Sequence, residues 1–253
     1  MCELFGLCSH QRKNVKPYLR EFFSHSVRHP NGWGLATFDG GRTNIRTEMI
    51  AAVNSTILPG ILQALPDSRL LFAHIRRATI GGVRPENCHP FSEKDASGRT
   101  WTLMHNGTIF NGTELLPFRS RQKGDTDSER ILLYLIGLLN EQMQNRSEAL
   151  CAEERFQAVN FMVKELSYRN KLNLLLFDGS RMYVHVNMRD TLFVRQEEKA
   201  ALFSTTPLTQ EGWEPLPLNT LIAYEDGQLV CCGQRHLNEY IDIMGRVTLD
   251  YHL

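Results

Sequence analysis

Apolar residues along this 253-residue chain come mostly in short runs, with two longer helical stretches in the middle. Residues 2–8 read as a short buried strand. Residues 14–28 place Val15, Tyr18, Leu19, Phe22, Phe23 and Val27 on one side, which predicts an amphipathic helix. His29-Pro30 should end it, because a residue before proline avoids the helical region. A strand over 35–38, the turn signal Asp39-Gly40-Gly41 and a strand over 43–46 predict a hairpin. Residues 56–65 suggest a short helix broken by Pro59-Gly60, and Leu70 to Ile75 forms a compact apolar strand. A Gly- and Pro-rich loop over 81–86 precedes another strand over 101–105, which stops at the turn dipeptide Asn106-Gly107. Helices follow over 127–143, carrying Ile131, Leu132, Leu135, Leu138 and Leu139, and over 147–168, carrying Phe156, Val159, Val163 and Leu166. The remainder is β: 172–177, 182–186, 192–194, 200–204, 221–224 and 229–232, the last two joined through Glu225-Asp226-Gly227.

Strands come first, two helices lie in the middle and strands return. Antiparallel sheets with a helical layer, an α+β sandwich, fit this order. No internal repeat or linker divides the chain, so one domain over residues 2–253 is expected. Composition adds exclusions. Lys plus Arg equals Asp plus Glu, 28 each, so neither nucleic acid nor an anionic membrane is a favoured partner. No apolar run is long enough to span a bilayer, and the first residues lack a secretory pattern. The six cysteines then read as reduced thiols in a cytoplasmic protein, and the Asn-x-Ser/Thr sequons, at Asn145 among others, as chance matches.

Position singles out Cys2. Removal of Met1 would leave its α-amino group free beside its own thiol. Such an amine titrates at about 7.7–8 and a thiol at about 8.5, so the amine is a built-in base for a nucleophile. The plainer reading makes Cys2 the start of a buried strand. Arg76 ends a strand in His74-Ile75-Arg76-Arg77; strand alternation turns Arg76 inward if Arg77 faces out, and its fork suits a carboxylate. In His105-Asn106-Gly107, the Asn106 side-chain N–H and the Gly107 backbone N–H could converge on one oxygen as an oxyanion hole. Thr126 and Glu129 have capping-box spacing, and Asp127 between them suits a helix dipole or an ammonium group.

Taken in order, an N-terminal Cys, His-x-Arg-x-Ala-Thr, His-Asn-Gly and Thr-Asp-Ser-Glu resemble the class II glutamine amidotransferases, over roughly residues 2–135. The resemblance implies a four-layer αββα sandwich, the N-terminal nucleophile hydrolase fold. It implies Cys2 as nucleophile on the γ-amide of glutamine, Asn106 and Gly107 as oxyanion hole, Arg76 with Thr79 at the substrate carboxylate, and Asp127 at its ammonium. It implies no cofactor and no metal. Two positions depart from members that feed a synthase: Arg77 stands where those carry tryptophan, and Ile80 where they carry histidine. His29-Pro30-Asn31-Gly32-Trp33-Gly34 and Glu86-Asn87-Cys88-His89-Pro90-Phe91 look like a stand-alone branch. Some relatives there hydrolyse γ-glutamyl amides of small thiol compounds. A separate synthase chain as partner for released ammonia, and an inactive binding module of the same fold, are the alternatives. A metal hydrolase built on His25, His29, Cys88, His89 and His105 is disfavoured, because Pro30 spoils the helical spacing at His29. On the amidotransferase reading His25 is instead a helix-surface residue, while His29 and His89 stand behind the site.

Overall fold

The computed structural model describes residues 2–144, 146 and 148–242. Met1, the sequon at Asn145, the expected helix start at Ser147 and residues 243–253 of the expected domain lie outside the described residues. Burial along β1 (Glu3–Lys13) sets the plan. Phe5 and Leu7 pack with α1 (Lys16–Ser24) and α2 (Leu58–Ala64), whereas Leu4 and Cys8 pack against a second sheet. Both faces of the strand are therefore buried, which explains why its apolar run does not alternate.

The first sheet contains β1, β2 (Trp33–Asp39), β3 (Arg42–Glu48), β4 (Ser68–Ile75), β9 (Phe193–Glu197), β10 (Ala200–Ser204) and β11 (Glu214–Pro215), in the order β11-β9-β10-β1-β4-β2-β3. The second contains β5 (Phe91–Lys94), β6 (Thr100–Thr108), β7 (Lys171–Phe177), β8 (Met182–His185), β12 (Ile222–Glu225) and β13 (Gln228–Cys232), in the order β13-β12-β8-β7-β6-β5. The described pairings are antiparallel. On the outer face of the second sheet lie α3 (Asp127–Met143) and α4 (Ala152–Leu166). Three apolar clusters separate four layers: one under α1 and α2, one under α3 and α4, and one between the sheets. This is the expected αββα sandwich.

Several local expectations change. The helix from Asn14 stops at Ser24 and tightens into a 3₁₀ turn over His25–Arg28. With three residues per turn instead of 3.6, Val27 swings off the apolar side and is 72% exposed. Pro59 starts α2 rather than breaking it, since its missing N–H falls in the first turn, where none is needed. Asn106-Gly107 is not a turn. β6 continues through it to Thr108, with Asn106 opposite Asn173 and Gly107 opposite Leu172. A Cβ at Gly107 would lie 2.0 Å from the Lys171 carbonyl oxygen, so the glycine admits the neighbouring strand. β5, β11 and the 3₁₀ turn over Thr113–Phe118 carry too little periodicity to be read from the chain.

Candidate functional site

Parity along the strands decides which side chains meet. Leu71, Ala73 and Ile75 of β4 face the helices, and Phe72 faces the second sheet. Arg76 follows Phe72 and His74 in step and is buried at 2% exposure, while Arg77 is exposed. On β6, Met104 faces the inter-sheet layer and Leu103 the helices, so Asn106 and Thr108 share the inter-sheet side. Cys2, two residues before inward-facing Leu4, joins them from the head of β1.

The thiol lies against the chain leaving β4. The Arg77 backbone N–H points at the Cys2 Sγ at 3.4 Å, and the Sγ lies 3.5 Å from the Arg77 carbonyl oxygen. Cys2 as a whole keeps some exposure, but burial of its sulfur pushes the thiol above its ordinary value; the Arg77 N–H and the Arg76 charge act in the opposite direction. Asn106 is tied to the same strand through Thr205. The Thr205 Oγ1 accepts the Leu4 N–H at 2.9 Å and the Asn106 Nδ2 at 3.5 Å, and the Thr205 N–H donates to the Leu4 carbonyl at 3.0 Å. Asn106 is buried, and its Oδ1 has no partner among the described residues.

Arg76 does not stand open. Its guanidinium donates to the carbonyls of Ile80, Gly81 and Gly82 at 3.0–3.3 Å, folding the 79–82 loop over itself. Asn87 secures that loop, donating to the Gly82 carbonyl at 2.8 Å and to Asp125. Asn31 secures the next stretch: its N–H donates to the Arg76 carbonyl at 3.0 Å, and its Oδ1 accepts the Ala78 N–H at 3.0 Å. Thr79 reaches the Thr108 hydroxyl at 3.5 Å.

Thr126 caps α3 by accepting the Glu129 N–H at 3.2 Å. The reciprocal half of the expected capping box is missing, because Glu129 reaches back to the N–H groups of Lys123 and Gly124. Asp127 is buried, accepting from the Ile109 N–H at 2.8 Å and the Ser128 N–H at 2.9 Å. Beside it, His105 donates Nε2–H to the Lys171 carbonyl at 3.2 Å. A carbonyl only accepts, so Nδ1 of the neutral ring is left to accept a hydrogen bond from the Ser128 hydroxyl at 3.0 Å. Burial holds His105 below its ordinary value, opposed by Asp127.

Histidines surround this end of the sheets. His74 and His89 stack at 4.1 Å between ring centroids, and burial drives His74 down to about 3 and His89 well below its usual range. The neighbouring backbone is tight: a Cβ on Gly34 would lie 1.8 Å from the His89 carbonyl oxygen. His25 is not a bare surface residue. It holds Glu3, the residue after Cys2, at 2.8 Å, and His29 lies 3.7 Å from the same carboxylate. Among the described residues, no three His, Cys, Asp or Glu side chains gather to hold a metal ion. No helix of the described residues is long and apolar enough to cross a membrane. A cleft of about 720 Å³ lies far from Cys2, around the β2–β3 turn and residues 97–100 and 177–180.

The chemistry-bearing motifs thus meet at one end of the sandwich. Thr205, Asn31 and Asn87 also hold that end together, and only the stretches quoted around Asn31 and Asn87 pointed to them. Comparison with known proteins agrees on the family. Escherichia coli YafJ is 30% identical over 186 residues, spanning 71% of this chain and 70% of YafJ. The amidophosphoribosyltransferase of Methanocaldococcus jannaschii is 28% identical across 91% of this chain but 48% of its own length. A predicted glutamine amidotransferase from Pseudomonas aeruginosa superposes with a TM-score of 0.63 at 20% identity, covering 91% of this chain and all of that one. The Bacillus subtilis glutamine phosphoribosylpyrophosphate amidotransferase gives 0.67 at 17% identity, covering 94% of this chain and half of that one. Those two structural likenesses carry the N-terminal nucleophile hydrolase fold alone. The family model for class II glutamine amidotransferases matches residues 1–198, and the chain belongs to that family.

Proposed function

We propose that this chain is an N-terminal cysteine amidohydrolase that cleaves the γ-amide of glutamine or of a small γ-glutamyl compound. Removal of Met1 frees the α-amino group of Cys2, which takes the thiol proton. The sulfur attacks the γ-carbonyl carbon, and the side-chain N–H of Asn106 with the backbone N–H of Gly107 holds the resulting oxyanion. Collapse expels ammonia or an amine, which leaves with the proton held on the α-amine. Water then attacks the γ-glutamyl thioester through a second oxyanion in the same hole, and glutamate departs. Arg76 and Thr79 hold the substrate carboxylate and Asp127 its ammonium. One catalytic domain over residues 2–253 is part of this reading, supported by the pairing of β1 with β10.

The observation that supports it best is the Thr205 bridge, which ties the strand behind Cys2 to the Asn106 amide. The leaving side of the substrate is to be found by screening γ-glutamyl amides against free glutamine. A purified Cys2→Ala variant should fold and release no ammonia from any of them, and mass spectrometry of the active enzyme should find Cys2 at the mature head. Turnover by Cys2→Ala, or by protein with Met1 attached, would overturn the proposal. Stimulation of slow turnover by a co-purifying synthase would instead favour a glutaminase subunit.

A further inference from the structure

Asn87 ends a 3₁₀ turn over Pro85–Asn87 and is fully buried, so its carboxamide must find partners inside the protein. It finds them in two other segments. Nδ2 donates to the Gly82 carbonyl at 2.8 Å and to the Asp125 carboxylate, and Oδ1 accepts the Asp125 backbone N–H at 3.0 Å. Each partner leads to one residue placed at the substrate's α-carbon. The Gly82 carbonyl also accepts Arg76 Nη1 at 3.0 Å, so Asn87 grips the loop that orients the guanidinium. Asp125 precedes the Thr126 cap and Asp127, and its carboxylate accepts the Gly82 N–H at 3.2 Å. Glycines let the three segments close on one another. A Cβ on Gly124 would lie 2.2 Å from the Asn87 Oδ1, and one on Gly81 would lie 2.5 Å from the Asp125 carboxylate. Two further links are weaker. Thr79 reaches the Thr108 hydroxyl at 3.5 Å, the limit of a hydrogen bond, and the Arg84–Asp125 ion pair at 3.2 Å joins half-exposed side chains.

We propose that Asn87 is a positioning residue that couples recognition of the substrate's α-carboxylate by Arg76 to recognition of its α-ammonium by Asp127. The inference rests on the reading of those two residues as the substrate's anchors. Carboxylate and ammonium sit on one carbon, so their receptors work together only if held at a set separation. Arg76 follows β4 in the first sheet, whereas Asp127 opens α3 on the outer face of the second. They belong to different layers, and the Asn87 carboxamide spans the loop of one and the approach to the other. Asn87 acts through Gly82 and Asp125 rather than on substrate. Its loss frees both anchors at once, which no change at either anchor alone would do.

The test is ammonia release from glutamine and from its two truncated forms, 4-aminobutanamide without the carboxylate and glutaric acid monoamide without the ammonium. Wild type should lose about 10–150-fold in kcat/KM on either truncation, the worth of a hydrogen bond to a charged group. Asn87→Ala should raise KM for glutamine about tenfold with kcat within about threefold, and both truncation penalties should shrink to about threefold. A variant that is merely less well folded would lose activity on the three amides alike and keep the penalties. Asp125→Ala removes the acceptor shared by Asn87 and Gly82 from a half-exposed position, and should also shrink both penalties. It serves if the Asn87 variant fails to fold. Arg84→Ala loses only the exposed ion pair and should stay within about twofold of wild type on each amide. Full penalties in a folded Asn87→Ala, or the loss of one penalty with the other intact, overturn the inference. An Arg84→Ala effect equal to that of Asp125→Ala also overturns it, by assigning the span to the ion pair. Failure of the anchor reading is distinct: wild type itself would turn over the truncated amides as fast as glutamine, or none of the three.

Discussion

Replacing Thr205 by valine tests how the site is held. The change keeps the shape of the side chain and removes its hydroxyl. The Thr205 N–H to the Leu4 carbonyl bond, at 3.0 Å, survives, because it is backbone to backbone. Two contacts vanish. The Leu4 N–H, at 2.9 Å and beside a side chain of 0% exposure, loses its acceptor. An orphaned buried N–H costs about 1–3 kcal/mol, which for a chain of this size lowers Tm by roughly 2–12 °C. The Asn106 contact, at 3.5 Å, is at the limit of a hydrogen bond and adds little stability itself. Its loss matters differently, since it releases the amide that we place at the oxyanion. Complete removal of such a donor lowers kcat by about 10²–10³-fold, so a loosened one should fall short of that, at roughly 10-fold. Urea melts give the stability change, and coupled ammonia release gives kcat and KM. Thr205→Ser, which returns the hydroxyl, should recover both. A valine variant with wild-type kcat would refute the positioning argument, and one with wild-type stability would refute the account of Leu4.

Other changes separate the remaining roles. Asn106→Ala should lower kcat by about 10²–10³-fold while KM changes little, and normal turnover would remove it from the oxyanion hole. Arg76→Ala should raise KM at least tenfold, on the order of one lost charged contact, and a KM within twofold of wild type would argue against carboxylate binding. Asp178 is fully buried and accepts from Arg155 Nε at 2.7 Å and the Tyr183 hydroxyl at 2.8 Å. Asp178→Asn should destabilise the protein by about 3–5 kcal/mol in a urea melt, because the Arg155 charge is left buried without its partner. Burial alone would raise this carboxyl, but the Arg181 N–H and the Arg155 charge outweigh it and hold it below the ordinary range. Its contribution is therefore complete above the unfolded value of about 3.9 and is lost as pH falls through the lower folded value. The variant's stability should accordingly depend less on pH below about 4 than the wild type's.

The layers were legible because periodicity records burial. The apolar runs of β1, β4 and β7 and the spacing of Ile131, Leu132 and Leu135 need nothing beyond the chain itself. Arg76 turning in and Arg77 turning out followed from strand alternation. What escaped the sequence depends on partners distant along the chain. Asn106-Gly107 reads locally as a turn, and only the Lys171 strand beside it makes it a ladder. Glu129 has the right spacing for a capping box, yet finds nearer donors at Lys123 and Gly124. Thr205 carries no local signal, because its role is defined by Leu4, some two hundred residues earlier. Lys171 lies one residue before the strand expected over 172–177, and the parity of β7 puts it inside.

The order of strands in the first sheet bears on when the enzyme comes into being. β1 lies between β4 and β10, and residues matched by the family model end just short of β10. A fragment trimmed at residue 198 would keep each proposed site residue from Cys2 to Asp127, yet would leave the cysteine's own strand as a raw edge inviting aggregation. During synthesis the same geometry imposes a delay. The strand that follows Cys2 cannot finish its sheet until the ribosome has released residues 200–205, so the cysteine that we propose as nucleophile is assembled among the last features of the fold.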